Sequence, residues 1–423
     1  MDKFIIHGGK KLEGKVSISG AKNSSLALMP ACLLASGKSN LFNTPRLNDV
    51  FTMLKLLKHL GVAHQFEEHT LEIDTTTIIS QDAPYEYVKK MRASVYVLGP
   101  LLSRFGYAKV SLPGGCAWGP RPINLHLESL KKMGANIQLS GGDIIAKAAD
   151  GKLNGAKINF DISSVGATGN ILMAATLANG TTQINNAATE PEIKNLSEFL
   201  LKMGAKIFGI GTKTLTIEGV TELKSSSVIT IPDRIEAGTL LIASAITRGQ
   251  IELNHVNPEQ LTAMLTKLED SGCKIFTDHN IIKLNSDDFE IKPVDVTTSI
   301  FPGFPTDMQA QWTALMCLAN GTSKITDTIY LDRFKHISEL ARLGADITVN
   351  ENNAIVKGVK KLIGAKVMST DLRASASLVL AGLAAEGTTE VLRVYHLDRG
   401  YQRIEEKLSA LGADIVRVEG TEF

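Results

Sequence analysis

The sequence predicts an α/β protein of two domains, each built from three repeated units that wrap buried helices. Two internal repeats and the chain length carry that prediction. The first repeat is a leucine-rich helix end, then Gly-Ala or a close variant, then a short β run. Its glycines fall at Gly61, Gly134, Gly204, Gly272, Gly344 and Gly412, in steps of 73, 70, 68, 72 and 68 residues. The second is an Ala/Leu-rich helix, a glycine turn and an alternating strand, as in Ile171 to Thr182, Thr239 to Gly249, Trp312 to Thr322 and Leu378 to Thr388. A chain of 423 residues exceeds one ordinary core, so two or more domains are expected.

In the first phrase a helix ends, glycine takes the left-handed cap and a strand opens. In the second the helix is apolar nearly all round and belongs inside, with amphipathic helices and strands around it. Six such units could stack as a solenoid, but solenoid repeats run about 20–50 residues. Two closed domains of three units fit better. The break is placed near Ile231-Pro232-Asp233-Arg234, giving a first domain over 21–231 and a second over 232–423. The opening strand through Gly20 is assigned to the second.

Composition narrows the function. Apolar residues make 44% and charged residues 21%, with 45 basic against 44 acidic residues and a net charge of +1. A nucleic-acid or membrane-surface partner would call for a basic excess. No apolar stretch reaches the roughly 18 residues of a membrane helix, and the start has no secretory pattern. A cytoplasmic protein is expected. The four cysteines, Cys32, Cys116, Cys273 and Cys317, show neither metal-ligand spacing nor a disulfide framework. Cys32 and Cys317 lie in apolar runs and read as small core hydrophobes, and Cys273 fills the alanine place of the repeat.

Cys116 has no packing role of that kind. It sits in Leu112-Pro113-Gly114-Gly115-Cys116-Ala117-Trp118-Gly119-Pro120-Arg121-Pro122, which no helix or central strand would use. A thiol on an accessible loop beside Arg121 is placed for chemistry; the competing reading is a surface turn with an incidental thiol. Gly20-Ala21-Lys22-Asn23-Ser24 opens the first buried helix, where a lysine and free amides make an anion site, unless Asn23 or Ser24 simply caps it. Arg92 leads into an apolar run. Asp307 starts the fifth buried helix, where it could be a cap. Arg333, Arg373 and Arg399 stand beside or near Asp332, Asp371 and Asp398 at loop-helix junctions. The pool of Lys22, Arg92, Arg121, Arg333, Arg373 and Arg399 suits a small substrate carrying phosphate and carboxylate.

These motifs, together with Ser164-Val165-Gly166-Ala167-Thr168, Pro305-Thr306-Asp307, Arg333-Phe334, Asp371-Leu372-Arg373 and Asp398-Arg399-Gly400-Tyr401, resemble the UDP-N-acetylglucosamine 1-carboxyvinyltransferase family over the whole chain. The resemblance implies the enolpyruvyl transferase fold, two inside-out α/β domains. It also implies transfer of the enolpyruvyl group of phosphoenolpyruvate to the 3-hydroxyl of UDP-N-acetylglucosamine, by addition and elimination. In that family's terms Cys116 is the proton donor and the thiol that fosfomycin alkylates, Asp307 the base at the sugar hydroxyl, and Asp371 an aid to proton transfer. Lys22, Arg121 and Arg399 would hold phosphoenolpyruvate, with Asn23 near the intermediate. Arg92, the run Arg121, Pro122, Ile123, Asn124 and Leu125, the run Ser163, Ser164, Val165 and Gly166, and Ile329 would face the UDP-sugar. Arg333 and Arg373 would add to substrate binding. No metal or cofactor is implied, and the partners are the two small substrates.

Four positions in three motifs depart from the family pattern. Asn124 stands where an aspartate is frequent, Leu331-Asp332 where Glu-Asn is frequent, and Asn48 where a lysine is frequent, with Arg46 as a substitute cation. Two rivals remain. One is enolpyruvyl transfer to shikimate 3-phosphate, which lacks a catalytic thiol at this loop. The other is a catalytically idle UDP-sugar-binding paralogue. The three-glycine loop around Cys116 is also expected to act as a lid.

Overall fold

The computed structural model describes residues 2–89, 91–112, 123–287, 289–330 and 332–419. The chain divides into two compact units, Gly20–Ile231 and Pro232–Phe423, the latter completed by Met1–Ser19. Among the described residues there are six four-stranded sheets, three in each unit, and each has one parallel and two antiparallel pairings.

Each unit surrounds three helices whose side chains are almost wholly buried. In Gly20–Ile231 these are Lys22–Ala31, Leu98–Phe105 and Val165–Ala175. In Pro232–Phe423 they are Arg234–Ile246, Gln309–Met316 and Leu372–Ala384. The strands alternate, burying one face against them, as Leu71 and Ile73 do in Thr70–Asp74. Six further helices lie outside and bury one stripe. They are Asn48–His59, Asn124–Lys132, Pro191–Lys202, Thr262–Asp270, Ile337–Arg342 and Ile404–Ala410.

The repeated glycine ends each outer helix. Gly61, Gly134, Gly204, Gly272, Gly344 and Gly412 have φ of 102°, 88°, 104°, 110°, 92° and 95°. In five of the six, the next residue's N–H donates back over the glycine to the helix. Val62 reaches the Leu57 carbonyl at 3.0 Å, and Cys273 reaches that of Leu268 at 3.0 Å. Only glycine holds this conformation without strain, and the hydrogen bond satisfies a carbonyl the helix leaves open.

The first strand of the chain, Lys3–His7, lies between Thr388–Leu392 and Asp414–Val418, antiparallel to both. The second, Glu13–Ser17, runs parallel to Gln250–Asn254. Both hydrogen-bond within the Pro232–Phe423 unit. In the other unit Ser227–Ile229 returns to pair with Lys38–Phe42, which joins its last strand to its first. Among the described residues no helix is long and apolar enough to cross a membrane.

Candidate active site

Lys22 is the first residue of the helix Lys22–Ala31, and neither Asn23 nor Ser24 caps it. The cap position is Ala21, which has no side-chain acceptor. Asn23 is exposed, and Ser24 is buried inside the helix. The Lys22 Nζ lies 3.5 Å from Oδ2 of Asp49, a buried carboxylate in the first turn of Asn48–His59. Arg46, the expected substitute for a lysine at position 48, instead lays its guanidinium over Phe66 and Phe51, at 4.6 and 5.4 Å from the ring centroids. Those rings and its bonds to the carbonyls of Phe66 and Glu68 account for its orientation.

Arg92 is half-buried and opens a 3-10 turn, Arg92–Val97, before the α-helix Leu98–Phe105 begins. Ile123 precedes the helix Asn124–Lys132, where Asn124 is exposed and Leu125 partly buried. Ser164 caps the helix Val165–Ala175, its Oγ accepting from the Ala167 N–H at 3.3 Å. Ser163, Val165 and Gly166 are partly exposed beside it. Free N–H groups at such a helix start suit a phosphate.

One residue absent from the sequence reading joins these three segments. Asn170 donates through Nδ2 to the Val95 carbonyl and to His126 Nδ1, both at 3.0 Å, and its Oδ1 accepts from Gly99 N–H at 2.8 Å. A Cβ at Gly99 would come within 2.3 Å of that oxygen, so glycine alone fits there. His126 is an acceptor at Nδ1, which puts its proton on Nε2. Burial pushes its pKa down to about 4, so the ring stays neutral. His126 directly follows the run Arg121 to Leu125 in the sequence.

Cys116, Arg121, Pro122 and the loop expected to act as a lid lie outside the described residues. The other three thiols are buried, and burial pushes Cys32 to about 12, Cys273 to about 11 and Cys317 to about 12. None is ionised at neutral pH.

In the Pro232–Phe423 unit, Asp307 lies in a 3-10 turn, Thr306–Met308, so it does not cap the buried helix that follows. Two buried arginines grip it. Arg333 Nη2 donates to Oδ1 at 2.8 Å, and Arg373 donates to Oδ2 from Nη2 at 3.0 Å and Nε at 3.2 Å. Burial works against the charge on Arg373, but Asp307 and Tyr401 reverse this and raise its pKa above the ordinary value. The Tyr401 ring backs the Arg373 guanidinium at 5.4 Å, and its hydroxyl meets Thr239 Oγ1 at 2.9 Å and Gln311 Nε2 at 3.2 Å.

Two aspartates of these motifs have partners other than the neighbouring guanidinium. Asp371 caps Leu372–Ala384, its Oδ1 accepting from the N–H groups of Arg373 at 2.9 Å and Ala374 at 3.1 Å. The Arg373 side chain goes to Asp307 instead. Asp398 is taken by Arg417, at 2.5 and 3.1 Å. Arg399, half-buried, ends the 3-10 turn Val394–Arg399. Ile329 is exposed, in a turn held by Asp327.

In the Pro232–Phe423 unit, a carboxylate fixed by two guanidinium groups can take a proton from a neighbouring hydroxyl; in the Gly20–Ile231 unit, a lysine at a helix start suits an anion. Comparison with known proteins bears on which reaction this is. A family model described as EPSP synthase (3-phosphoshikimate 1-carboxyvinyltransferase) matches residues 6–408. A UDP-N-acetylglucosamine 1-carboxyvinyltransferase of Chloroherpeton thalassium is 61% identical, over 100% of this chain and 99% of that protein. One of Chlorobium phaeovibrioides is 58% identical over the full length of both. Among solved structures, the enolpyruvyl transferase NikO from Streptomyces tendae aligns with a TM-score of 0.88 at 25% identity, covering 98% of each chain. An EPSP synthase of Acinetobacter baumannii aligns at 0.77 and 18% identity, over 99% of this chain and 100% of that one, a likeness of fold.

Proposed function

The chain belongs to the UDP-N-acetylglucosamine 1-carboxyvinyltransferase family of enolpyruvyl transferases, and from that premise we propose that it transfers the enolpyruvyl group of phosphoenolpyruvate to the 3-hydroxyl of UDP-N-acetylglucosamine. Phosphate is released, and the product is the enolpyruvyl ether that begins peptidoglycan precursor synthesis. The observation that carries this reading is the 61% identity to a protein of that name across the entire chain. The solved EPSP synthase of Acinetobacter baumannii is 18% identical and shows the fold alone.

The reaction adds the sugar oxygen to C2 of phosphoenolpyruvate while a proton goes to C3, then expels phosphate as a proton leaves C3. Cys116 is the group assigned to deliver the proton to C3. Its assignment is what the family resemblance implies, and the other three thiols are buried away from any substrate. Asp307 is the base assigned to the sugar hydroxyl, supported by its partial exposure and its fixed orientation between Arg333 and Arg373. Asp371 has an oxygen committed to a helix cap, so its part in proton transfer is carried by the other. Lys22, Arg121 and Arg399 are assigned to phosphoenolpyruvate, and Asn23 to the intermediate. Arg333 and Arg373 add positive charge beside the base.

The UDP-sugar is assigned to Arg92, to Arg121 through Leu125, to Ser163 through Gly166 and to Ile329. Support comes from Asn170, which ties the segments bearing Arg92, Asn124 and Gly166 together. Asn124 brings an amide where a carboxylate is frequent, so any nucleobase contact there is a neutral hydrogen bond. Both substrates are cytoplasmic metabolites, and the cytoplasm is the compartment proposed. The test is phosphate release from phosphoenolpyruvate with UDP-N-acetylglucosamine as acceptor, with shikimate 3-phosphate in a parallel reaction. Release with the UDP-sugar alone supports the reading; no release with either favours an idle UDP-sugar binder.

A further inference from the structure

Asp327 follows the strand Thr322–Thr326 and is fully buried, at 0% exposure. A carboxylate in that position needs donors to offset its lost hydration. It has four. Its Oδ1 accepts from Thr298 Oγ1 at 2.8 Å and from the N–H groups of Ile329 and Tyr330, each at 2.9 Å. Its Oδ2 accepts from Thr306 Oγ1 at 2.7 Å. The first oxygen shapes the turn that presents Ile329. The second faces the residue next to Asp307.

The Thr306 hydroxyl has one proton, and an ionised Asp327 only accepts, so that proton points at Asp327. The lone pairs of the same oxygen then face Arg333, whose Nη1 donates to it at 2.8 Å. Arg333 Nη2 donates to Asp307 Oδ1 at 2.8 Å. Reading from Asp307 to Asp327, every donor points toward the buried carboxylate side except the one aimed at Asp307 itself. With both nitrogens of the fork engaged, the plane of the guanidinium is set as well as its reach.

We propose that Asp327 is a positioning residue for enolpyruvyl transfer. Through Thr306 it sets the plane of Arg333 and so the orientation of the Asp307 carboxylate toward the sugar hydroxyl. This rests on the assignment of Asp307 as the base. A displacement of the order of 1 Å at such a group lowers turnover by about a hundredfold.

The experiment compares kcat and KM for wild type, Asp327→Asn, Thr306→Val and Thr306→Ser. Asp327→Asn keeps an acceptor for the Ile329 turn but sets an amide donor against Thr306, turning the hydroxyl proton toward Arg333. Its kcat falls about 10- to 100-fold, with KM for UDP-N-acetylglucosamine within about threefold of wild type. Thr306→Val removes the relay without touching the turn and gives the same loss. Thr306→Ser keeps the hydroxyl and restores kcat to within about threefold. If Asp327→Asn does not fold, the Thr306 pair decides. A folded Thr306→Val with wild-type kcat, or losses confined to KM, overturns the inference. Wild type without turnover overturns the functional reading first and this inference with it; wild-type turnover with an indifferent Thr306→Val removes this inference alone.

Discussion

Arg373 holds one oxygen of Asp307 with two N–H groups, Nη2 at 3.0 Å and Nε at 3.2 Å, while its own backbone N–H is bound by Asp371 at 2.9 Å. One residue thus ties the helix cap to the carboxylate. Asp307→Asn puts a neutral amide between two buried guanidinium groups. We expect kcat to drop by at least about a hundredfold, the usual effect of losing a general base. Stability should fall by about 1–3 kcal/mol, below the fully buried case because Asp307 is partly exposed. Steady-state kinetics and urea unfolding on the same preparation check both; an unchanged kcat removes Asp307 from the base role.

Thiol reactivity gives a second expectation. Cys32, Cys273 and Cys317 are buried with pKa values at about 12, 11 and 12. The native protein at pH 7.5 should therefore present one reactive thiol to a maleimide or to fosfomycin, and Cys116→Ser should present none. Intact mass reads the number of adducts. Persistent labelling of the variant would place the reactive sulfur elsewhere.

Acid lability follows from two imidazoles. Burial pushes His126 to about 4, and burial together with Arg333 pushes His336 to about 3, from an ordinary 6.5. The unfolded chain protonates near pH 6.5 while the folded chain does not. Their contribution is complete above that pH and is lost as pH falls through about 4 and 3. Each accounts for roughly 3–5 kcal/mol at full extent. Between pH 5 and 6, replacing either His by Gln should flatten the pH dependence of unfolding free energy by about 1 kcal/mol per pH unit. An unaltered slope would mean that the ring titrates normally in the folded protein.

Glycine replacements separate strain from collision. A Cβ at Gly204, φ 104°, or Gly344, φ 92°, meets nothing within 4 Å. Alanine there should cost about 1–2 kcal/mol through backbone strain alone. At Gly219 and Gly358 the same Cβ would lie 1.7 Å from the carbonyl oxygens of Ala178 and Ala319. Those variants should lose clearly more in urea midpoint. Equal losses in both classes would contradict this division.

The glycine repeat was legible because its conformation is local. A helix end needing positive φ selects glycine wherever it recurs, and all six positions adopt it. The buried helices were legible because apolar residues cover every side of them. Partners among polar side chains were not. Arg373 stands near Asp371 in the sequence, yet its side chain crosses 66 positions to Asp307. Asp49, Asn170 and Asp327 escaped notice because a buried polar residue has no sequence signature; its role exists only once the elements around it have met. Arg46 shows the converse, since its distance along the chain from position 48 says nothing about Phe66 across the sheet.

The strand Lys3–His7 is flanked on both sides by partners from the far end of the chain, Thr388–Leu392 and Asp414–Val418. During synthesis on a ribosome its slot is not complete until Val418 has been added. The Gly20–Ile231 segment closes on itself and can collapse while translation continues. Until then Lys3–His7 must wait without its partners, across more than 380 residues of further synthesis.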